Sequence, residues 1–538
     1  MQSAASPTRA TSSAIDARRE RRPLRAWLAG GILLFLMTAA WSAAIPLMGS
    51  PDEPSHVVKA AAVARGQWSG ELGPPPTDTS RPGAGTIVQL PDDFAAALAL
   101  PNCFAFQPAV PASCQQDLAP AGPGTVAVET FAGQYPPLYY AAVGWPSLVL
   151  GAEASVYAMR LLSALLTAGL VTWGAYRLST VPGNGLALWG AAAAMTPMTL
   201  FLGGTVNPQG LEIALAFSFW AACLSLVARR GVVTTSGIVH AAISGALLVN
   251  VRTSSPFWAL VIVVVALVVA PSGRWRELVA HRAARWAGVA AALASVTAVA
   301  WVAVHRGVVT GGDLYPHYAD LRLTLLEITG DGYGYLANMI GNFGWLDAPA
   351  PPVTMLAWYI GAGAVILAAT SLSAPIRQRA GLLLLVLAVA GSPFALQIPT
   401  ATNAGLIWQG RYALPIAVGV PLLAALLLGG EHAATRAALR RMLRGALVVL
   451  LVGHVAAFYW ASRRYSEGLE GDLFALTPDW SSPIGYLTGT AAFAAAATAL
   501  TVMVWRAVPP VPDEVSSARD AAIRSPGTVP GEHTARTP

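Results

Sequence analysis

Long apolar runs, each near the length of a bilayer crossing and joined by short polar links, fill the chain from Trp27 to Trp505. They predict spans near 26–48, 155–177, 186–203, 208–228, 236–251, 255–271, 286–305, 353–371, 380–398, 412–430, 444–461 and 484–505. A continuous apolar run satisfies its backbone in hydrocarbon by closing into a helix, so the expected fold is an all-α polytopic membrane protein with about twelve transmembrane helices. One further apolar stretch, 136–150, is short for a crossing and reads as a re-entrant or juxtamembrane helix. With that reading, the linkers holding Arg177, Arg229 and Arg230, Arg274 to Arg285, Arg377 and Arg379, and Arg436 to Arg444 all fall on the side of both termini. Positive loops stay inside, which makes that side the cytoplasm. Arg463 and Arg464 break the pattern and are expected to be offset by Glu467, Glu470 and Asp472.

The polar remainder divides into a tail at 1–25, a tail at 506–538, and one long external loop at 49–134 inside a membrane domain spanning 26–505. Both tails are expected to be disordered and cytoplasmic. Within the loop, a helix is expected from Pro51 to about residue 66, and another over 92–100. A cleaved signal peptide ending near Ala44 is the alternative to a first span, and its apolar run is long for that role.

Composition sharpens this picture. The chain has 538 residues, of which 55% are hydrophobic and only 11% charged. A soluble protein would carry about 25% charged residues. The net charge of +6 comes from arginines gathered in linkers, a topology signal and not a nucleic-acid patch. Of three cysteines, Cys103 and Cys114 share the external loop and suit a disulfide, while Cys223 lies in an apolar span as a small buried hydrophobe.

Unusual polar and aromatic residues converge on the outer side: Asp52 to Lys59, Tyr135 to Tyr140, Asn207-Pro208-Gln209, Arg252, Phe343 to Asp347, and Gly410-Arg411-Tyr412. The stretch Ser50-Pro51-Asp52-Glu53-Pro54-Ser55-His56-Val57-Val58-Lys59 holds two adjacent acids, a histidine and the chain's only lysine. As a helix it admits two readings. Ser50, Pro51 and Glu53 form a capping box with helpful dipole charges. Alternatively, Asp52, His56 and Lys59, at i, i+4 and i+7, present one functional face. No P-loop, dinucleotide fingerprint, zinc spacing or serine-hydrolase signature is present.

Four motifs occur in order: Pro51-Asp52-Glu53-Pro54-Ser55-His56, Tyr135-Pro136-Pro137-Leu138-Tyr139-Tyr140, Phe343-Gly344-Trp345-Leu346-Asp347, and Gly410-Arg411-Tyr412-Ala413-Leu414-Pro415. Over roughly 26–505 the chain thereby resembles the bacterial membrane family called domain of unknown function 2142. That family is similar to the type C glycosyltransferases. The resemblance implies a polyprenyl-phosphate sugar donor and a first-loop acid acting as base or orienting the acceptor. On this sequence that acid is Asp52, with Glu53 as its partner and His56 a further candidate. Where some relatives carry an acid in the second external loop, this chain reads Asn207-Pro208-Gln209, which tells against a metal there.

The chemistry agrees with the resemblance. Sugar transfer to a hydroxyl needs a carboxylate to take its proton, and the leaving phosphate needs a cation. Arginine offers phosphate a planar fork, so Arg411 is the first donor-phosphate candidate, then Arg252, with Lys59 nearby. Arg411 also reads as an interfacial anchor or the partner of a loop acid. Trp345, Asp347, Tyr135, Tyr139 and Asn207 are candidates for holding sugar or acceptor, although single tryptophans and tyrosines also belong to aromatic belts. Asp52, Glu53 and His56 are ligand types for a divalent cation, and Lys59 on the same face opposes one, so no cofactor is assigned. The expected protein is thus an inverting transferase moving sugar from a polyprenyl-phosphate carrier to a cell-envelope glycan or protein at the outer face of the bilayer, with no nucleic-acid partner. Two other readings use the same residues: a transporter or flippase for lipid-linked saccharides, and a non-catalytic membrane scaffold. Few acids inside the spans and no matched helix breaks argue against transport.

Overall fold

A computed structural model describes residues 9–507 apart from 75–84, 182–185, 229–231, 306–312, 372–374 and 429–432. Arg229, Arg230 and the tail residues 1–8 and 508–538 lie outside the described residues. The first helix is Arg9–Ala44, so it takes in much of the expected N-terminal tail before the apolar part begins at Arg25.

Nine helices among the described residues are long and apolar enough to cross a membrane. Two shorter apolar helices, Thr235–Leu248 and Ser255–Val269, stand at two more of the expected spans. The remaining one, near 186–203, is broken into Ala187–Ala194 and Pro197–Gly203. Pro197 causes the break: it has no N–H to donate, and it pushes Thr196 into an extended conformation with ψ 160. The Thr196 hydroxyl then caps the second piece by accepting the Thr199 amide at 3.2 Å. The apolar stretch after Tyr135 gives only a six-residue helix, Leu138–Val143, and one 3-10 turn, so it does not cross.

Trp27 packs on Tyr176 with ring centres 5.5 Å apart, and Arg444 lies 5.2 Å from the Trp505 ring. These contacts pair the helix ends that carry Arg25 and Arg177, and those that carry Arg444 and Arg506. The loops holding Asp52, Asn207, Arg252 and Arg411 meet at the opposite end of the bundle.

The long loop is more ordered than its composition suggests. Its first helix is Glu53–Ala64, which starts two residues later than expected. A second, Asp92–Ala97, is followed by a 3-10 turn at Leu100–Cys103. Between and after them runs a three-stranded antiparallel sheet in the order β1 (Glu71–Leu72), β2 (Thr86–Leu90), β3 (Val126–Thr130), with Thr86 opposite Thr130 and Val88 opposite Val128. Sequence reading missed this sheet. Its two longer strands lie far apart in the chain, and Ile87 is apolar yet faces outward, so neither a hairpin turn nor clean alternation marks it. The Thr130 hydroxyl donates to Ser55 O at 2.7 Å and fixes the sheet to the helix at Glu53–Ala64. Cys103 and Cys114 are joined as a disulfide in the same loop.

Candidate functional site

The two adjacent acids take opposite fates. Asp52 stands at the N-cap in the left-handed region, φ 61 and ψ 0, a conformation that is costly for a residue with a Cβ and easiest for Gly, Asn and Asp. Its flanks hold it there. Asn207 Nδ2 donates to Pro51 O at 3.2 Å, and the His56 amide donates to Asp52 O at 3.1 Å. The expected capping box does not form. Ser50 Oγ is buried without a partner, and the Glu53 side chain points inward. Because Asp52 precedes the helix, it does not share a helical face with His56 and Lys59.

Glu53 is fully buried against Arg160, itself fully buried. Arg160 Nε and Nη2 donate to its two oxygens at 2.8 and 2.6 Å, and the Val206 amide adds a bond of 3.0 Å. The rest of the Arg160 fork ties down the end of the first helix, reaching Ser42 O at 2.9 Å, Ile45 O at 2.7 Å and Pro46 O at 2.8 Å. A carboxylate so paired cannot partner Asp52 in chemistry, which corrects the expectation for Glu53.

Asp52 is 54% exposed and meets an arginine that is 1% exposed: Arg411 Nη2 lies 2.9 Å from Asp52 Oδ2. Arg411 is held from behind, its Nε on Gln409 Oε1 at 2.5 Å and its carbonyl accepting Gln209 Nε2 at 2.7 Å. Its Nη1 is buried and has no hydrogen-bond partner among the described residues. Beside it, the Tyr412 ring sits 5.3 Å from the guanidinium of Arg411 and 5.3 Å from that of Arg252. Arg252 pairs with the buried Glu212 at 3.0 Å, and Ser255 donates to the same carboxylate at 2.6 Å. Tyr135 closes the group, its ring 5.9 Å from Arg252 and 5.8 Å from His56.

The partial loss of solvent around Asp52 favours its protonated form, but the nearby cations, Arg411 foremost, outweigh it and hold the carboxyl below its usual value. Burial pushes His56 down to about 3 despite the pull of Asp52. Its ring is therefore neutral, and Nδ1 stands 2.9 Å from Tyr140 Oη. Lys59 is also pushed down by burial, to about 7.

Other expected residues are engaged elsewhere. Lys59 is fully buried and donates to Gly133 O at 2.6 Å and to Trp68 O, so it fastens the loop and does not face Arg411. Asp347 pairs with Arg464 at 2.8 Å and accepts the Trp345 amide at 3.1 Å, which leaves it 6% exposed and unable to meet a sugar. Trp345 gives its Nε1 to Met48 O at 3.2 Å and meets Phe106 edge-on. Tyr139 is fully buried with its hydroxyl 2.8 Å from Ser163 Oγ. Asn207, also buried, caps the helix Pro208–Val227 through Gln209 while holding Pro51, so its amide is occupied by backbone at both ends. Among the described residues, no three of His, Cys, Asp and Glu gather as metal ligands.

Arg463 and Arg464, the exceptions to the charge pattern, are neutralised differently than expected. Arg464 donates to Val110 O, Phe104 O and Gln107 O in the external loop as well as to Asp347, and Arg463 donates to Leu469 O and Asp472 O. Asp347 and backbone carbonyls, not the side chains of Glu467, Glu470 and Asp472, are the partners of these two arginines. Sequence reading missed Arg160, Glu212 and Gln409, and named Tyr412 only as part of a motif. For the first two a signal was available, since each is a charge inside an apolar run.

A cavity of about 620 Å³ opens between the spans Pro352–Ser371, Ile376–Ala404 and Gly410–Leu428. Leu414, Val418, Tyr335, Met339, Trp358 and Phe394 line it.

Compared with solved structures, the chain is similar to ArnT from Cupriavidus metallidurans bound to undecaprenyl phosphate, at 13% identity and a TM-score of 0.42, over 92% of this chain and 79% of that one. No curated protein matches it. The profile of the predicted membrane protein family DUF2142 matches residues 35–420, a region holding the Asp52 loop, the broken helix, Arg252 and Arg411, and to that family the chain belongs.

Proposed function

We propose that this protein transfers a sugar from a polyprenyl-phosphate donor to a cell-envelope acceptor at the outer membrane surface, with Asp52 as base and Arg411 as the phosphate-holding cation. One observation carries the reading: an exposed carboxylate stands 2.9 Å from a buried arginine whose Nη1 has no partner. A buried donor left without a partner is costly unless a ligand satisfies it. The apolar cavity that starts at Leu414, one turn beyond Arg411, suits the hydrocarbon of the same donor.

The pairing of Glu53 supports a single displacement. Only one carboxylate of the two is exposed, which serves a base but leaves no second one as nucleophile. Asp52 takes the acceptor's hydroxyl proton as its oxygen bonds to the anomeric carbon. The bond from that carbon to the phosphate oxygen breaks, and the lipid phosphate leaves on Arg411. Tyr135 and Tyr412, beside this pair, offer ring faces to the sugar. This orientation places both termini in the cytoplasm and the 49–134 loop outside.

Purified protein incubated with radiolabelled polyprenyl-phosphate sugars should release the label to an acceptor or to water, and Asp52→Asn should not. Undiminished transfer by Asp52→Asn would remove Asp52 from the role. Cysteines introduced at positions 118 and 280 test the orientation in intact cells. An impermeant thiol reagent should label 118 only, and labelling at 280 alone would invert the topology.

A further inference from the structure

We infer that the donor's phosphate and the Asp52 carboxylate compete for one edge of the Arg411 guanidinium, so that donor binding itself frees the base; this rests on the donor reading above. A guanidinium grips phosphate most firmly through two parallel N–H groups on one edge. The Nε of Arg411 is taken by Gln409 at 2.5 Å, which leaves the edge formed by Nη1 and Nη2. Nη1 is buried and unpartnered, whereas Nη2 is held by Asp52 at 2.9 Å. A phosphate that takes Nη1 together with the Nη2 hydrogen on which Asp52 rests displaces the carboxylate.

The surroundings decide which partner yields. Arg411 is 1% exposed, gripped by Gln409 through its side chain and by Gln209 through its carbonyl. The backbone on both sides of Asp52 is also pinned, through Pro51 O to Asn207 and through Glu53 to Arg160. Only the Asp52 side chain, 54% exposed, is free to turn. Besides Arg411, the charged and titratable groups around it are Arg252, neutral His56, Tyr140 and Tyr412. Once turned away it loses its nearest cation, and a carboxylate without that cation is the stronger base.

The exchange sets an order of events. With the edge empty, Asp52 is locked on Arg411 and is a poor base. Donor phosphate unlocks it, and the acceptor follows. After transfer Asp52 carries the acceptor's proton, is neutral, and no longer competes. Loss of that proton to water restores the competitor and expels the lipid phosphate.

The test uses undecaprenyl phosphate as probe, with the full-length protein in detergent micelles. Asn tolerates the left-handed conformation at position 52, so Asp52→Asn folds, which thermal melting checks. Removing the competitor should tighten binding about tenfold, the worth of one charge-assisted hydrogen bond. The gain should persist at about 0.5 M salt, because exchange at a buried fork is a contact effect while repulsion from an exposed carboxylate is screened. Binding by Asp52→Asn that is equal to or weaker than wild type overturns the exchange, as does a gain that vanishes in salt. In either case the lipid-phosphate reading survives on wild-type binding. Failure of wild type and variant alike to bind refutes that reading, and the exchange with it.

Discussion

Two ion pairs one residue apart in the chain show how burial divides structure from chemistry. Glu53–Arg160 is dry and complete. Both side chains are fully buried, the arginine also holds three carbonyls, and the carboxylate takes an amide besides. Asp52–Arg411 is incomplete by comparison, with one partner half exposed and one arginine nitrogen unmatched. The first pair locks the end of the first helix, the Glu53 helix and the loop at Val206 into one frame. The second sits on that frame with the Asp52 side chain half exposed. Identical charge types thus give a clamp where every donor is satisfied and, where one is not, the pair on which the proposed site is built.

Breaking the clamp should have the largest effect. Arg160→Met leaves Glu53 buried and unpaired, and should lower stability by about 3–5 kcal/mol. The measurement is thermal unfolding in detergent, with the double variant Arg160→Met, Glu53→Leu recovering much of the loss. A single variant that melts like wild type would show that the pair does not hold the frame. Next in size is Asp52→Asn, which should melt like wild type yet turn over about 10²- to 10⁴-fold more slowly. That contrast with Arg160→Met separates the two pairs most directly, in a transfer assay run beside the melt. Smaller again, Arg411→Ala should weaken undecaprenyl phosphate binding by about 10- to 100-fold, read by titration of purified protein. Unchanged affinity would move the phosphate to Arg252.

Smallest at neutral pH is the effect of His56, which grows only as the solution is acidified. His56 is held neutral with its pKa pushed down to about 3, whereas the unfolded residue titrates at 6.5. Between these values the unfolded chain binds more protons than the folded one. The stability this gives is therefore fully present above 6.5 and is lost as pH falls toward 3, at up to about 1.4 kcal/mol per pH unit. His56→Gln should flatten that part of the melting-temperature profile, and a profile unchanged by the substitution would show that His56 does not set it.

Much of the architecture was legible in one dimension. Span length and apolarity mark the crossings and the arginine-bearing linkers mark the side expected to be cytoplasmic, whereas the break that Pro197 makes in the span expected at 186–203 was passed over. The same counting brought Asp52, Tyr135, Arg252 and Arg411 to one side of the membrane. Side-chain fate was less legible. Trp345, Asp347, Tyr139, Asn207 and Lys59 have the residue types of a sugar or phosphate site, and the fold uses them to fasten loops and cap a helix. The loop sheet escaped notice because a strand's partner is set by contacts distant in sequence.

What the sequence determined by itself follows from solvent. A bilayer has a fixed thickness and rejects unpaired backbone and charge, so run length and arginine placement suffice to lay out the crossings. Which of two neighbouring acids is free was decided only by tertiary structure. Asp52 and Glu53 are equivalent as letters, and helix logic assigned Glu53 to a cap and Asp52 to a helical face. The fold did neither, because Arg160, 107 residues away, supplies Glu53 with a buried and fully bonded partner, while a left-handed turn holds Asp52 out toward Arg411. Pairing across such distances depends on packed geometry, and a carboxylate's availability is a property of its partners more than of its position in the chain.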